Sequence, residues 1–229
     1  MAEEIDVVTG DSRRDFLKKS IIVGAAVWTA PAVISLPGSR ALAASPVCEC
    51  SASGYALSVK LLTLAPIVLG QSSVCVLGPL PIGLPNVASV NASIICSSVV
   101  GCQDTSDVAS VDVTVGLDAA PTLRINATVL ESQATADCNA CNTTGRSLIA
   151  SLTVNNTNVT AASLTCNNDI LATLGLGALG SLIFDEEVCT GDSLSVNALH
   201  LTVPGIIDLV VAHSEASATG CPCIACGTN

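Results

Sequence analysis

Cysteine is the residue type with the most varied potential chemistry in this chain, and several cysteines form close groups. The groups are Cys48-Glu-Cys50, Cys138-Asn-Ala-Cys141 and Cys221-Pro-Cys223-Ile-Ala-Cys226. A C-x-x-C pair can bind zinc or an iron–sulfur cluster, or act as a redox pair. The histidine partners and the spacing of a standard zinc ribbon are missing, so structural disulfides are favoured, with metal and redox roles as alternatives.

The number of cysteines is even, at 12. In an oxidising compartment such a set predicts up to six disulfides, whose connectivity the sequence leaves open. The close group at the C-terminus predicts a staple that holds the end of the chain, where chains otherwise fray. The disulfide candidates are Cys48, Cys50, Cys75, Cys96, Cys102, Cys138, Cys141, Cys166, Cys189, Cys221, Cys223 and Cys226.

Ser193 is the one candidate nucleophile that lies in a recognisable motif. The run Gly-Asp-Ser193-Leu spells the nucleophile block of the GDSL hydrolases. Those enzymes carry it near the start of an α/β domain, with a D-x-x-H block near the end. Here the run lies late in a β-rich chain, and four residues separate Asp208 from His213. A turn that leads into a strand is therefore the favoured interpretation, with a hydrolase that uses Ser193 as an alternative.

Two further sets of residues could bind a metal ion. His200 and His213 are the only histidines, and with Asp208 they could bind a divalent cation if their strands pair. Asp185-Glu186-Glu187 offers carboxylates for Ca²⁺, although no D-x-D-x-D-G loop is present. Packing on a half-buried strand face and a solvated acidic turn are the favoured interpretations. No catalytic, cofactor-binding or metal-binding residue is therefore assigned, and no cofactor is expected.

The first 43 residues have the pattern of a bacterial export signal. Arg13 and Arg14 lie in the run Ser-Arg-Arg-Asp-Phe-Leu-Lys-Lys, which resembles the twin-arginine signal. An apolar stretch follows over residues 21–36, interrupted by Pro31. It is too short for a comfortable membrane span of about 20 residues. We expect a helical signal segment that is read by the twin-arginine translocase.

Small residues mark the predicted cleavage point. Ala41 and Ala43 fit an A-x-A site, so signal peptidase is expected to cut between Ala43 and Ala44. No cysteine follows at once, because Cys48 lies several positions further on, and this argues against a lipoprotein. We predict a signal peptide over 1–43, one β-rich domain over 44–229, and no stable membrane span after cleavage.

The charge balance of the predicted domain excludes several partners. Lys60, Arg124 and Arg146 are its only cations, whereas the whole chain has a net charge of −11. Three cations cannot neutralise a phosphate backbone or bind an anionic lipid surface. Tyr55 and Phe184 are its only aromatic residues, so base stacking on single-stranded nucleic acid and ring stacking on sugars are not favoured either.

Apolar and polar residues alternate with period two over much of the predicted domain. Such alternation places the apolar set on one face of a strand, and the abundant Val, Ile and Thr favour strands. The predicted apolar faces are Leu57, Val59 and Leu61; Ala88, Val90, Ala92, Ile94 and Cys96; Val111, Val113, Val115 and Leu117; and Leu148, Ala150, Leu152 and Val154.

Turn residues separate these strands. Pro204-Gly205 and Asn155-Asn156 predict turns, and three prolines predict a loop over residues 78–86. The alternation slips near Asn197 and Ala198, which predicts a bulge, and apolar spacing over 170–182 suits a short helix. The fold class is therefore all-β, an antiparallel β-sandwich rich in disulfides, with a β-barrel as the alternative.

Four segments together are similar to the "choice-of-anchor P" family. They are residues 51–59, 147–155, 192–205 and 208–216, the last followed by Cys221. The resemblance implies a secreted actinobacterial surface protein, and it supplies no activity or catalytic residue. The chain departs from the family in its extra cysteine cluster and in having no evident C-terminal anchor.

We therefore expect a secreted or cell-surface protein with a structural or interaction role in the cell envelope, where other envelope components could be its partners. The alternatives are an exported metal-binding protein, which uses the cysteine groups or the acidic cluster, and an exported hydrolase that uses Ser193.

Overall fold

The computed structural model describes residues 48–71, 75–84, 87–117 and 120–226. The predicted signal residues Arg13 and Arg14 and the predicted cleavage point at Ala43 and Ala44 lie outside the described residues. Within the described part the strands are β1 Cys50–Leu61, β2 Ile67–Gln71, β3 Cys75–Val76, β4 Leu80–Leu84, β5 Ala88–Val100, β6 Gln103–Leu117, β7 Ala120–Asp137, β8 Asn142–Val154, β9 Thr157–Asn158, β10 Asn168–Asp169, β11 Ser181–Thr190, β12 Ser193–Val203 and β13 Ile207–Ala218.

Two antiparallel sheets face each other, as the sequence predicts for a β-sandwich. The first sheet has the order β10-β11-β12-β13-β1-β2. The second has the order β3-β5-β6-β7-β8-β9, with β4 also paired to β5. The long strands of each sheet are mostly neighbours in the sequence, because short turns join them into hairpins.

Two predicted turns are confirmed, and one predicted loop is wrong. Asn155 and Asn156 have φ values of 49° and 63° and join β8 to β9. Two successive positive φ values are typical of the tight hairpin turn that asparagine tolerates. Pro204-Gly205 lies between the paired ends of β12 and β13. The proline-rich stretch 78–86 contains β4, which pairs with β5 at the edge of the sheet, where proline is tolerated.

Helical structure is short among the described residues. The segment 170–182 was predicted to suit a helix, and α1 forms only over Ile170–Thr173. The Asp169 side chain accepts a hydrogen bond from the backbone N–H of Ala172 and so caps this helix. The glycine-rich sequence that follows has a 3₁₀ turn at Gly177–Leu179, in keeping with the low helix propensity of glycine.

The second sheet contains a row of residues at which side-chain facing reverses. Ala88, Val90 and Ala92 are buried as predicted, but Ile94 is 48% exposed and Ile95 is buried instead. The predicted face of β8 is confirmed at Leu152 and Val154, which are buried, and is wrong at Leu148 and Ala150, which are exposed while Ile149 is buried. We name Ile94, Ala109, Val129 and Ala150 the second reversal row.

The first sheet has an equivalent row, which we name the first reversal row: Ala56, Ala212, Ala198 and Asp185. The phase slip predicted near Ala198 is therefore present, but its cause is not a bulge. Phe184 pairs with Leu199, and Glu186 with Asn197, so neither β11 nor β12 has an extra residue. All neighbouring long strands reverse together, and their register is unchanged on both sides of the row.

A left-handed backbone conformation accompanies the reversal on every second strand. Asp185, Ala212, Ile94 and Val129 have φ between 46° and 52°. This region costs an L-residue roughly 1–2 kcal/mol. The row residues on the strands between them are all alanine: Ala56, Ala198, Ala109 and Ala150. Each of these alanines therefore places a small side chain next to a residue with positive φ on the neighbouring strand.

The interior of the sandwich contains two apolar cores. It also contains buried polar side chains that come from strands of both sheets. The larger core includes Leu57, Val113, Ile125 and Leu199. The smaller one contains Ala134, Ala136, Leu194, Val196, Ala216 and Ala218, with cysteines packed against it. We name the buried residues Ser97, Asp104, Ser106, Ser132 and Ser214 the polar layer.

The polar layer links the two sheets by hydrogen bonds. Ser97 and Ser106 donate to the Asp104 carboxylate at 3.1 and 3.2 Å. Burial raises the pKa of Asp104, although hydroxyl groups from the layer act to lower it. Ser106 lies 2.8 Å from the carbonyl oxygen of His213 in the first sheet, and the hydroxyls of Ser132 and Ser214 lie 2.9 Å apart.

Gly54 leaves the space that the Asp104 carboxylate occupies. A Cβ atom on Gly54 would overlap this carboxylate and lie 2.5 Å from the carbonyl oxygen of His213. We expect Gly54→Ala to lower the free energy of unfolding by about 3 kcal/mol, because the sheets must separate or Asp104 must lose its hydrogen bonds. Chemical denaturation of the disulfide-bonded protein measures this.

Gly177→Ala is the matched control for this substitution. Its added methyl would lie 3.5 Å or more from Ala172, an ordinary contact distance, so we expect a change within about 0.5 kcal/mol. Equal effects of the two substitutions would contradict the close approach of Gly54 to Asp104.

Candidate functional site

Every described cysteine is in a disulfide, which confirms the favoured interpretation of the cysteines. The described residues contain no free thiol. The Cα atoms of each pair lie 4.3 to 6.2 Å apart, close to the usual range for disulfides. The pairs are Cys48–Cys138, Cys50–Cys102, Cys75–Cys96, Cys141–Cys221, Cys166–Cys226 and Cys189–Cys223.

Two of these disulfides join the sheets directly. Cys48 precedes β1 in the first sheet and bonds Cys138, which follows β7 in the second. Cys50 in β1 bonds Cys102 in the turn between β5 and β6. The other cross-sheet links run through the C-terminal segment 221–226. We name these five bonds, all except Cys75–Cys96, the disulfide end.

The C-terminal segment is held by three disulfides that go to three different parts of the chain. Cys221 bonds Cys141 in the turn between β7 and β8, and Cys223 bonds Cys189 in β11. Cys223 also forms a backbone bridge with Thr143 in β8. The predicted C-terminal staple is therefore confirmed, and it connects strands of both sheets.

Cys226 brings the third staple beside two acidic residues. It bonds Cys166, and its backbone N–H donates to Glu187 at 2.6 Å. Ligand atoms of Cys166, Cys226, Asp185 and Glu187 all lie within 4.8 Å of one another. Burial raises the pKa of both Asp185 and Glu187. The predicted acidic cluster therefore divides, because Glu186 faces a different network.

Glu186 and Asp208 hold His200 on the outer face of the first sheet. The His200 Nδ1 atom lies 2.8 Å from the Glu186 carboxylate, and Nε2 lies 2.9 Å from Asp208. The hydrogen bond to Glu186, followed by that to Asp208, raises the pKa of His200 to about 9 against the effect of burial. At neutral pH both ring nitrogens therefore carry hydrogen and donate to carboxylates.

The same carboxylate of Glu186 continues the network towards His213. Burial acts to raise the pKa of Glu186, but hydrogen bonds from His200 and Asn197 lower it overall. Asn197 donates to Glu186 at 2.7 Å, and its side-chain oxygen lies 2.6 Å from Nδ1 of His213. The His213 ring stacks on Tyr55, with centroids 4.3 Å apart. Burial lowers the pKa of His213.

The two histidines lie on paired strands, as the sequence analysis required for a shared metal site, but they do not form one. His213 pairs with Asn197 and His200 with Val210 across the β12–β13 ladder. The group of potential ligands that lies close enough to hold an ion, among the described residues, includes neither histidine. Asn197 separates the two rings and connects them through hydrogen bonds.

Ser193 has a carboxylate partner in place of the base that a nucleophilic serine needs. Its hydroxyl donates to Glu215 at 2.6 Å. Asp208 bonds His200, whereas His213 bonds Asn197. A serine hydrolase requires the serine, the histidine and the acid to be linked in that order. The Ser193, His213 and Asp208 set proposed from the motif is thus divided among three separate contacts.

Asn197, Glu215 and Asp104 take part in these hydrogen-bond networks although nothing in the sequence marks them. Asn197 and Glu215 have no motif of their own, and their contacts depend on which strands pair. Asp104 is in a segment of alternating polar residues that gives no sign of burial, yet its exposed fraction is 0%.

Comparisons with known proteins give no relative for this chain: no family model, no curated protein and no solved structure matches it. Among the described residues, no helix has the length and apolar character that crossing a membrane requires. The six disulfides indicate an oxidising, extracytoplasmic compartment.

His200 predicts a specific dependence of stability on pH. Its folded pKa of about 9 lies above the ordinary value of 6.5, so its stabilisation is complete below pH 6.5 and is lost as pH rises through 9. We expect His200→Gln to lower the free energy of unfolding by about 1.5–3 kcal/mol at pH 6. We also expect it to flatten the decline between pH 6.5 and 9. Denaturation at a series of pH values measures both effects.

His213→Gln is the control, because the pKa of His213 is shifted in the opposite direction to that of His200. Burial lowers the pKa of His213, so its folded form loses stability as pH falls below the ordinary histidine value. An alkaline decline that persists in His200→Gln and vanishes in His213→Gln would contradict these assignments.

Proposed function

We propose that this chain is an exported protein of the bacterial cell envelope, with a structural or interaction role that its surface performs. The observation that carries the proposal is the disulfide end. Five disulfides hold both sheets and the C-terminal segment in one cross-linked unit. Such bonds stabilise by restricting the unfolded chain, typically by about 2–4 kcal/mol each.

The distribution of charge supports the same proposal. The chain has a net charge of −11, and such a charge keeps a protein soluble and repels other acidic surfaces. The predicted domain has three lysine and arginine residues, Lys60, Arg124 and Arg146. Trypsin-like proteases, which cleave after these residue types, therefore find few sites. The resemblance to the choice-of-anchor P family adds a cell-surface location to the proposal.

The export step of the proposal has a direct test. We expect residues 1–47, fused to a reporter that folds in the cytoplasm, to be exported only through the twin-arginine translocase. Replacement of Arg13 and Arg14 by lysine should abolish export, because the translocase reads the arginine pair. Fluorescence of the periplasmic or extracellular fraction measures it. Continued export of the Lys-Lys variant in a strain without the translocase would refute this route.

A second prediction concerns the protein recovered from its native host. We expect a mass that corresponds to residues 44–229, lowered by two hydrogens for each of six disulfides, and no reaction with a thiol-alkylating reagent unless a reductant is added. Intact mass spectrometry before and after alkylation measures this. A chain that starts elsewhere would refute cleavage between Ala43 and Ala44.

Metal binding is the second candidate function, and one observation favours it. The ligand atoms of Cys166, Cys226, Asp185 and Glu187 lie within 4.8 Å of one another, and one oxygen of Asp185 is buried without a hydrogen-bond partner. Only a protein that lacks the Cys166–Cys226 disulfide could use both sulfurs as ligands. Two alkylatable thiols and a metal-sized adduct in the native mass would establish this candidate in place of the first.

A further inference from the structure

Strand β8 has a free edge over residues 146–151. One side of the strand pairs with β7 along its whole length. On the other side, β9 and Val159 bind it only from Leu152 onwards, and Thr143 forms a bridge to Cys223 near its start. Among the described residues, no strand pairs with the stretch between these points. Its outward N–H and C=O groups are therefore open to a further strand.

The other edges of the two sheets, as far as the structure describes them, have features that discourage pairing. β2 has five residues, follows Pro66 and contains Gly70, whose φ is 66°. β4 contains Pro81, whose nitrogen has no hydrogen to donate, and β3 and β10 have two residues each. Natural sheets protect their edges with short strands, proline and local distortion. The free edge of β8 has no proline, and its one charged residue, Arg146, lies at its end.

The facing of the side chains selects one register for a second copy. The outward side chains are Arg146, Leu148 and Ala150, and the inward ones are Ser147 and Ile149. Antiparallel pairing centred on Leu148 places 146 opposite 150 and 147 opposite 149. Inward residues then meet inward residues, and outward residues meet outward ones. A centre at Ile149 would oppose inward Ser147 to exposed Ser151, because side-chain facing reverses at Ala150 of the second reversal row.

The charges around β8 allow two acidic chains to approach each other here. The whole chain has a net charge of −11, so many surfaces of two copies repel. β8 contains neither aspartate nor glutamate. Glu131 on the neighbouring strand forms an ion pair with Arg146 at 3.2 Å, which neutralises it. At the centre of the edge, Leu148 has 54% of its surface exposed, and pairing would cover it.

We infer that two copies of this chain associate by antiparallel pairing of their β8 strands over residues 146–150, with Leu148 on the two-fold axis. Such an interface is self-complementary, because the same patch of each copy contacts the other. The second sheets of the two copies then form one continuous sheet. The inference goes beyond the proposed envelope role and does not depend on it.

The test is sedimentation velocity of the disulfide-bonded protein from its native host, over a wide range of concentrations. We expect a monomer–dimer equilibrium. Leu148→Lys should raise the Kd of the dimer by about tenfold or more, because two like charges would meet at the axis. Leu77→Lys is the matched control. Leu77 is 78% exposed and lies between β3 and β4, at the opposite edge of the same sheet, so this variant should associate as the parent does.

Leu148→Cys tests the register. Residues directly opposite each other in an antiparallel pair have Cα atoms about 4.5 or 5.5 Å apart, a separation that a disulfide spans. We expect a covalent dimer that is linked through position 148 of both copies, which peptide mass mapping identifies. Leu77→Cys should give no such dimer. A link from position 148 to another cysteine would contradict the register.

Hydrogen exchange of the parent protein avoids dependence on how the variants fold. The amides of residues 146–150 should exchange more slowly as the protein concentration rises, and those of β6 should not change. A monomer at every concentration, or a dimer that Leu148→Lys leaves intact or that Leu77→Lys abolishes, would overturn the inference. Protection of these amides only after a cell-envelope extract is added would also overturn it, and would assign the edge to a different partner.

Discussion

A strand residue with φ near +50° reverses the sense in which the following side chains alternate. In this protein the reversal occurs at matching positions of neighbouring strands, so the pairing register is unchanged across each reversal row and no residue there is left unpaired. The reversal lets Val211 and Ser214 both face the interior. His213 and Glu215 then face outward on the other side of the row. Without the reversal, His213 and Glu215 would face the interior and Ser214 of the polar layer would face outward.

The reversal also explains why one end of the sandwich needs covalent support. Beyond the rows, the interior contains the hydroxyls of the polar layer and the Asp104 carboxylate, followed by a small core made largely of alanine. This core buries much less apolar surface than the large one, and apolar burial is the main favourable term in folding. Cysteines of the disulfide end lie around this small core. The cross-links there compensate for modest hydrophobic stabilisation.

Much of the architecture could be predicted because it depends on local signals. Alternation identified the strands around Leu57 and Val113, and Asn155-Asn156 and Pro204-Gly205 identified turns. The exposure of the Ile94 and Leu148 side chains could not be predicted. It depends on φ values of about +50° at an isoleucine and a valine, for which the local sequence has no signal. The disulfide pairs and the contact between Ser193 and Glu215 depend on which strands are neighbours, and spacing along the chain does not determine that.

The two histidines show how one carboxylate can give identical side chains opposite properties. Glu186 accepts from His200 directly, and this contact favours the imidazolium form. Its hydrogen-bonded connection to His213 runs through Asn197, whose amide oxygen can orient an N–H but supplies no full charge, and its direct charge effect on His213 is smaller than that of burial. Burial then dominates and lowers the pKa of His213. The amide between the rings therefore separates a histidine whose pKa is raised by two carboxylates from one whose pKa is lowered by burial.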